Sequence, residues 1–232
     1  MQLAAVSVRT NGPVQYLKKS PALEAGLLGS LSGVATFARR ERDQPIAKSG
    51  SGEECWHQIV RGAARQCASR VDGHRQIIDF VLPGDVFVPS GGSEGFSFEA
   101  ITDHTVVASF PRRAIEQLAG TAACLGSEFR DLTVAGAHRL QRQILILGRA
   151  SAMGKVSAFL LDMADRLSVD DCCRVDLPMS RYDIADYLIM SVETVSRSLT
   201  ELRCRGAIAF LGRREIRIVD RAALEDARTR LH

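Results

Sequence analysis

The stretch from Asp183 to Arg205, DIADYLIMSVETVSRSLTELRCR, constrains this chain more than any other. Two short apolar-periodic segments meet at a break, Ile189-Met190-Ser191. Ile184, Ala185 and Leu188 fall at helical spacing in the first; Val195, Leu199 and Leu202 do so in the second. Segments this short and this closely coupled predict a helix-turn-helix rather than a bundle hairpin, with one helix bracing and the other presented outward. The outward face of the second helix carries Glu193, Ser196, Arg197 and Thr200, spaced so that they project together. That face donates and accepts hydrogen bonds and is almost free of apolar groups, which suits the edges of DNA bases. The plainer alternative is an amphipathic helix with a solvated side.

The flanks decide between the two. Ser180-Arg181-Tyr182-Asp183 supplies a Ser N-cap with an acidic residue three positions on, which starts the first helix. Gly206 ends the second. Ala207 to Leu211 and Arg214 to Val219 read as strands around Gly212-Arg213, a hairpin with a basic tip. Helix, helix and basic hairpin make a winged helix-turn-helix, in which Ser180, Arg213 and Arg214 join the residues expected to meet DNA. Between Arg197 and Arg217 there are six Arg and two Glu, although the whole chain carries only +3. Local positive charge where phosphates would lie is the electrostatic footprint of a DNA reader. VETVSRSL following DIADYL resembles the DNA-binding signature of the CRP/FNR family of bacterial transcription regulators, in its FixK-like branch. The run VDGHRQIIDFVLPGDVF is similar to the sensor domain of the same branch, so the resemblance covers most of the chain.

A chain of 232 residues holds two modest domains, each able to bury its own core. No apolar run approaches the ~20 residues of a membrane span, and MQLAAVSVRT lacks the apolar core of a signal peptide, so a cytoplasmic protein is expected. Cysteines stand at 55, 67, 124, 172, 173 and 204 without a C-x-x-C pair, and in a reducing compartment they read as free thiols.

The expected fold class is α+β: an N-terminal β jelly-roll, similar to cyclic-nucleotide-binding sensor domains, then a long dimerisation helix and a C-terminal winged helix-turn-helix. Residues 1–26 lack a strong period and read as an arm. From 27 to 120, short strands such as Trp56–Val60, Arg75–Val81 and Phe96–Ile101 alternate with turns at Gly50–Gly52, Asp72-Gly73, Pro83-Gly84-Asp85 and Gly91-Gly92. From 121 to 148 a long helix is expected. Leu118, Leu125 and Leu132 recur every seven residues with Phe129 among them, and Leu140, Ile144 and Leu147 extend the apolar side, which predicts a seam of Leu125, Phe129 and Leu132 against a partner helix. Burial against the chain's own domain is the alternative. From 149 to 232, Gly148-Arg149-Ala150-Ser151 leads as a hinge into an amphipathic helix at Ala152–Val169. A strand at Arg174–Leu177 and a closing helix from Arg221 to Leu231 complete the DNA-binding domain.

Catalysis is not expected. Jelly rolls also host metal-dependent oxygenases, but those need clustered His and carboxylate ligands. Histidines 57, 74, 104, 138 and 232 form no H-x-H or H-x-D pair, and neither a phosphate loop nor a nucleophile elbow is present. Metal and cofactor are therefore expected to be absent. The resemblance implies that cyclic-nucleotide binders of the family use a Gly-Glu segment followed by Arg-Ser or Arg-Thr. Phe87 to Thr102 offers Gly95 and Glu99 but no Arg, so no cyclic nucleotide is expected. Iron–sulfur members carry closely spaced N-terminal cysteines, and here none precedes Cys55. A haem sensor using His57, His74 or Cys124 stays open as an alternative, as does a jelly-roll metalloenzyme with an accessory DNA domain. Cys204, seven residues beyond Arg197, is a redox candidate, and Asp85 a candidate contact to RNA polymerase by family resemblance. The resemblance implies a homodimeric activator that binds a two-fold TTGA…TCAA site in double-stranded DNA and controls low-oxygen respiration, nitrogen fixation or denitrification genes.

Overall fold

The computed structural model describes residues 33–48, 55–69, 75–89, 95–121, 123–167 and 173–229, with the side chains of 118–125 outside that description. These residues form two compact units, divided between Arg139 and Leu140. The arm expected at 1–26, the turns at 50–52, 72–73 and 91–92, and residues His74, Cys172, Leu231 and His232 lie outside the described residues. So do the side chains of Leu118, Cys124 and Leu125.

The first unit holds strands β1 (Thr36–Arg40), β2 (Pro45–Lys48), β3 (Cys55–Arg61), β4 (Ala64–Ser69), β5 (Arg75–Val81), β6 (Val86–Phe87), β7 (Phe96–Ala100) and β8 (Thr105–Pro111). They pair antiparallel into two four-stranded sheets, β1-β8-β3-β6 and β2-β7-β4-β5, the double-sheet arrangement expected of a jelly roll. Alternation places Ile59, Val107 and Phe87 in one core with Val81 and Phe98 of the second sheet. The first sheet is also covered on its other face. There Val60, Ala108 and Phe110 pack with Ile115 of α1 (Arg112–Thr121) and Phe129 of α2 (Ala123–Leu147).

This second core takes Phe129 out of the expected seam, whose Leu125 side chain lies outside the described residues. Phe129 is buried to 7% exposure in its own unit, edge-on to Trp56 with ring centroids 4.5 Å apart, and Leu132 packs against the same cluster. An aromatic ring sunk in its own sheet cannot also face a partner helix. Among its described residues, the large apolar side chains that α2 leaves exposed are Val134, Leu140, Ile144 and Leu145.

The turn before β6 has a second consequence. Asp85 N–H donates to Leu82 O at 3.0 Å, and Gly84 sits at φ +91°, so Leu82-Pro83-Gly84-Asp85 is a tight turn with Pro and Gly where a type II turn needs them. Asp85 closes the turn, its Oδ2 accepting from Leu82 N–H at 2.8 Å. Its Oδ1 accepts from Arg139 Nη1 at 3.0 Å, while Arg139 Nε donates to Asp79 Oδ2 at 3.0 Å. Arg139 and Asp79 side chains are each 6% exposed and Asp85 20%. The carboxylate proposed to meet a polymerase is turned inward and holds β5, the turn and α2 together; that expectation is corrected.

The second unit contains α3 (Ala152–Leu167), β9 (Arg174–Asp176), α4 (Arg181–Leu188), α5 (Val192–Cys204), β10 (Ile208–Phe210), β11 (Glu215–Ile218) and α6 (Arg221–Thr229). Residues 148–151 separate α2 from α3, and Ser151 Oγ accepts from Gly154 N–H at 3.0 Å to start α3. Val156, Phe159, Leu160 and Met163 are buried where α3 packs against α5, α6 and β9. The hairpin β10–β11 is joined on its far edge by β9, giving the order β10-β11-β9. In β11, Ile216 and Ile218 point inward while Arg217 is exposed, the alternation of a one-face sheet.

Candidate nucleic-acid interface

Two short helices stay formed only if their ends are closed, and each end here has an identifiable device. Ser180 caps α4: its Oγ accepts from Asp183 N–H at 3.2 Å, and Asp183 Oδ2 accepts from Ser180 N–H at 2.8 Å and from its hydroxyl at 2.6 Å. The Ser180 hydroxyl, expected at the DNA, therefore gives its proton to the cap. Ser191 caps α5, accepting from Thr194 N–H at 3.2 Å. The sequence reading missed this cap, although a Ser directly before an apolar-periodic segment is a recognisable signal.

The helix C-termini contrast with each other. α5 ends in a Schellman turn: Ala207 N–H donates to Leu202 O and Gly206 N–H to Arg203 O, both at 3.0 Å, with Gly206 at φ +74°. α4 ends in the same pattern, Met190 N–H to Ala185 O at 2.9 Å and Ile189 N–H to Asp186 O at 3.2 Å, but the left-handed position is held by Ile189 (φ 55°, ψ 56°). A β-branched residue there costs roughly 1–2 kcal/mol. Its side chain is 61% exposed, so packing does not offset the strain. The turn of the helix-turn-helix is thus strained in this chain.

Between the caps the expected core is in place. Ile184, Ala185, Leu188, Val195, Leu199 and Leu202 are all at most 3% exposed. Sealing that side of α5 leaves Glu193, Arg197 and Thr200 exposed and Ser196 half-buried, so the four residues singled out for base contact share the free side. Thr200 Oγ1 donates to Ser196 O at 2.9 Å, which uses its proton and leaves the oxygen as an acceptor. Glu193 sits in the first turn. Hydrogen bonds from its own backbone N–H and from Ser191 hold its carboxyl below the usual range, with a smaller Coulombic pull from Arg197. Among the described residues Glu193 makes no ion pair with Arg197; its carboxylate turns to the helix N-terminus instead.

Arg213 and Arg214 are exposed in the 211–214 turn of the wing. Arg213 projects without a partner among the described residues, whereas Arg214 Nη1 donates to Pro178 O at 3.2 Å, which fastens the wing to the segment before α4. Cys204 is an exposed free thiol at the end of α5. The sequence reading also missed Arg181, Arg203 and Phe210. Arg181 Nη1 donates to Ser196 Oγ at 3.3 Å, and both arginines lie over the Phe210 ring, 5.7 and 5.6 Å from its centroid.

In the first unit, His57, Glu99 and His104 each have a partner within the protein. His57 Nδ1 is hydrogen-bonded to Ser109 Oγ at 2.8 Å and its ring stacks on Phe87. Glu99 is held by Arg65 and Arg75 at 2.8 and 3.0 Å. His104 occupies a left-handed turn position (φ 59°) and pairs with Glu41 at 2.9 Å. Among the described residues no group of three His, Cys, Asp or Glu is placed to hold a metal, and no helix is long and apolar enough to cross a membrane.

A jelly roll, a long helix and a basic winged helix-turn-helix with a polar recognition face define a DNA-binding transcription regulator. Residues 154–227 match the model of the Crp-like helix-turn-helix domain. The chain is 35% identical over 209 residues to the nitrogen fixation regulation protein FixK of Rhizobium meliloti, covering 89% of this chain and 94% of that one. With FixK of Azorhizobium caulinodans the identity is 36% over 207 residues, 86% and 81% of the two chains. The structure of FixK2 from Bradyrhizobium japonicum superposes with a TM-score of 0.75 at 36% identity, covering 86% of this chain and all of that one. The chain belongs to the CRP/FNR family of transcription regulators, in its FixK-like branch, and is not an enzyme.

Proposed function

We propose that this chain is a homodimeric activator that reads a two-fold TTGA…TCAA site and controls genes of low-oxygen respiration, nitrogen fixation or denitrification, acting in the cytoplasm with RNA polymerase as its partner. The observation that carries the reading is the free face of α5, Glu193, Ser196, Arg197 and Thr200, set opposite a sealed apolar side. Arg197 can donate two parallel hydrogen bonds to guanine O6 and N7, and Glu193 can accept from the paired cytosine amino group. Ser196 is small enough to approach the neighbouring thymine. Arg213 at the wing tip meets phosphate, which positions the protein without carrying sequence information.

The two kinds of contact fail differently. Arg197→Ala is expected to cost ~1–3 kcal/mol on the specific site and to relax preference at the guanine. Arg213→Ala is expected to weaken all sequences alike and to reduce the salt slope by about one. Titrations on specific and scrambled duplexes at several salt concentrations separate them, and equal losses on both duplexes for Arg197→Ala would overturn this register. The same titration with peroxide-treated protein tests thiol control: oxidation of Cys204 brings negative character near phosphate and should weaken binding. Undiminished peroxide sensitivity in Cys204→Ala excludes that thiol.

Dimerisation is assigned to the exposed apolar residues of α2 in place of Phe129 and Leu132. Leu140 and Ile144 are four residues apart on one side of the helix and are 40% and 69% exposed. Replacing both by Glu should bury charge at the contact and yield a monomer in sedimentation, with weak binding to single half-sites. A dimer that survives the double substitution removes this assignment.

A further inference from the structure

The proposed base-reading face includes Ser196, and the structure gives that hydroxyl a partner from another helix. A serine hydroxyl has one proton and two lone pairs, and on a helix its default outlet is the carbonyl four residues back. Here Arg181 Nη1, from the first turn of α4, donates to Ser196 Oγ at 3.3 Å. Among the described residues nothing else takes up the Ser196 hydroxyl. A guanidinium has no acceptor, so the contact fills a lone pair and leaves the proton free to point away from the protein.

What keeps Arg181 there is not a carboxylate. Neither Arg181 nor Arg203 forms an ion pair among the described residues. Both guanidiniums instead lie over the ring of Phe210, the last residue of β10, at 5.7 and 5.6 Å, within the range of a cation–π contact. One ring therefore ties α4 and the end of α5 to the root of the wing, and the arginine it holds on the α4 side is the one that reaches the hydroxyl of Ser196. Two like charges over one ring repel, so the arrangement also favours a site where phosphates supply the missing anion.

We infer that Phe210 and Arg181 are positioning residues for sequence readout: the ring holds Arg181, Arg181 fixes Ser196 as a hydrogen-bond donor, and Ser196 donates to an acceptor on a base edge, such as thymine O4. This rests on the DNA-reading face proposed above and adds the residues that set what one of its members can recognise. A Ser196 freed from Arg181 could turn its proton back to the helix and present only lone pairs, and discrimination for an acceptor would fall.

The experiment is selection from a pool of random duplexes, followed by titration of the selected site and its single-base variants at several salt concentrations. Phe210→Leu removes the ring without changing charge. It should relax preference at one base pair of each half-site by roughly three- to tenfold, the worth of one hydrogen bond, with the salt slope unchanged. Phe210→Tyr, which keeps the ring, should retain the preference. Ser196→Ala should give the same relaxation, and adding Phe210→Leu to it should change nothing more. Arg181→Gln tests the same link without touching the wing, so a Phe210→Leu protein that unfolds does not end the test. Base preferences intact in Phe210→Leu or Arg181→Gln, or affinity lowered equally for every sequence, overturn the inference while leaving the DNA-reading function standing. If the unaltered protein selects no sequence at all, the function on which the inference rests falls with it.

Discussion

Arg139→Ala is expected to destabilise the jelly-roll unit by about 3–5 kcal/mol, the usual cost of removing one partner from a buried ion cluster. Arg139 is the shared donor to Asp79 and Asp85, each at 3.0 Å, in a region where the arginine and Asp79 are only 6% exposed. Without the guanidinium, two carboxylates share a weakly solvated space and lose the cation between them. The loss also loosens the turn at Leu82–Asp85 from α2, because Asp85 Oδ2 keeps its bond to Leu82 N–H while Oδ1 loses its bond to the helix. Denaturant unfolding followed by tryptophan fluorescence reads this directly, since Trp56 packs on Phe129 of the same helix. Arg139→Met combined with Asp79→Leu and Asp85→Asn should recover most of the stability, because an apolar replacement of a buried pair is often neutral or better. A loss below about 1 kcal/mol in Arg139→Ala would show that the cluster is solvated and contributes little.

The same residues show where sequence reading reaches its limit. The helix-turn-helix was legible because its core, from Ile184 to Leu202, lies within one continuous stretch, so periodicity alone fixes which side is sealed. The Ser180 cap was legible for the same reason: its partner Asp183 is three residues away. Phe129 was misplaced because an apolar side chain recurring at heptad spacing looks identical whether the surface it meets is another subunit or a distant sheet. What meets it is Trp56, seventy-three positions earlier, and only the fold brings the two together. Asp85 was legible as a turn residue, but its second oxygen answers to Arg139, 54 positions on. Arg181, Ser196 and Phe210 carry no shared period at all, since one starts a helix, one lies in the next and one ends a strand. Ile189 is the opposite case: the break was legible, yet a β-branched residue gives no sign of the left-handed conformation that the turn imposes on it.

His57 gives the second large expectation, an acid-sensitive stability of the jelly-roll unit. Its ring lies on Phe87 with centroids 5.2 Å apart, Phe87 lies on Phe98 at 4.2 Å, and Nδ1 is tied to Ser109. Burial, with a smaller contribution from the charge of Arg40, pushes the imidazole down from 6.5 to about 4. The folded ring therefore stays neutral where the unfolded one has already taken a proton. The stability tied to this histidine is fully present above about pH 6.5, falls as the pH drops towards 4, and changes no further below that. Over the whole interval the loss amounts to about 3 kcal/mol, and at pH 5 to about 2 kcal/mol. His57→Phe keeps the stack and removes the titration, so its unfolding free energy should change by about 2 kcal/mol less than that of the unaltered chain between pH 7.5 and pH 5. Carboxylates titrate mostly below that window, which isolates the imidazole. An identical pH dependence in His57→Phe would mean that the ring is solvated and protonates freely in the folded state.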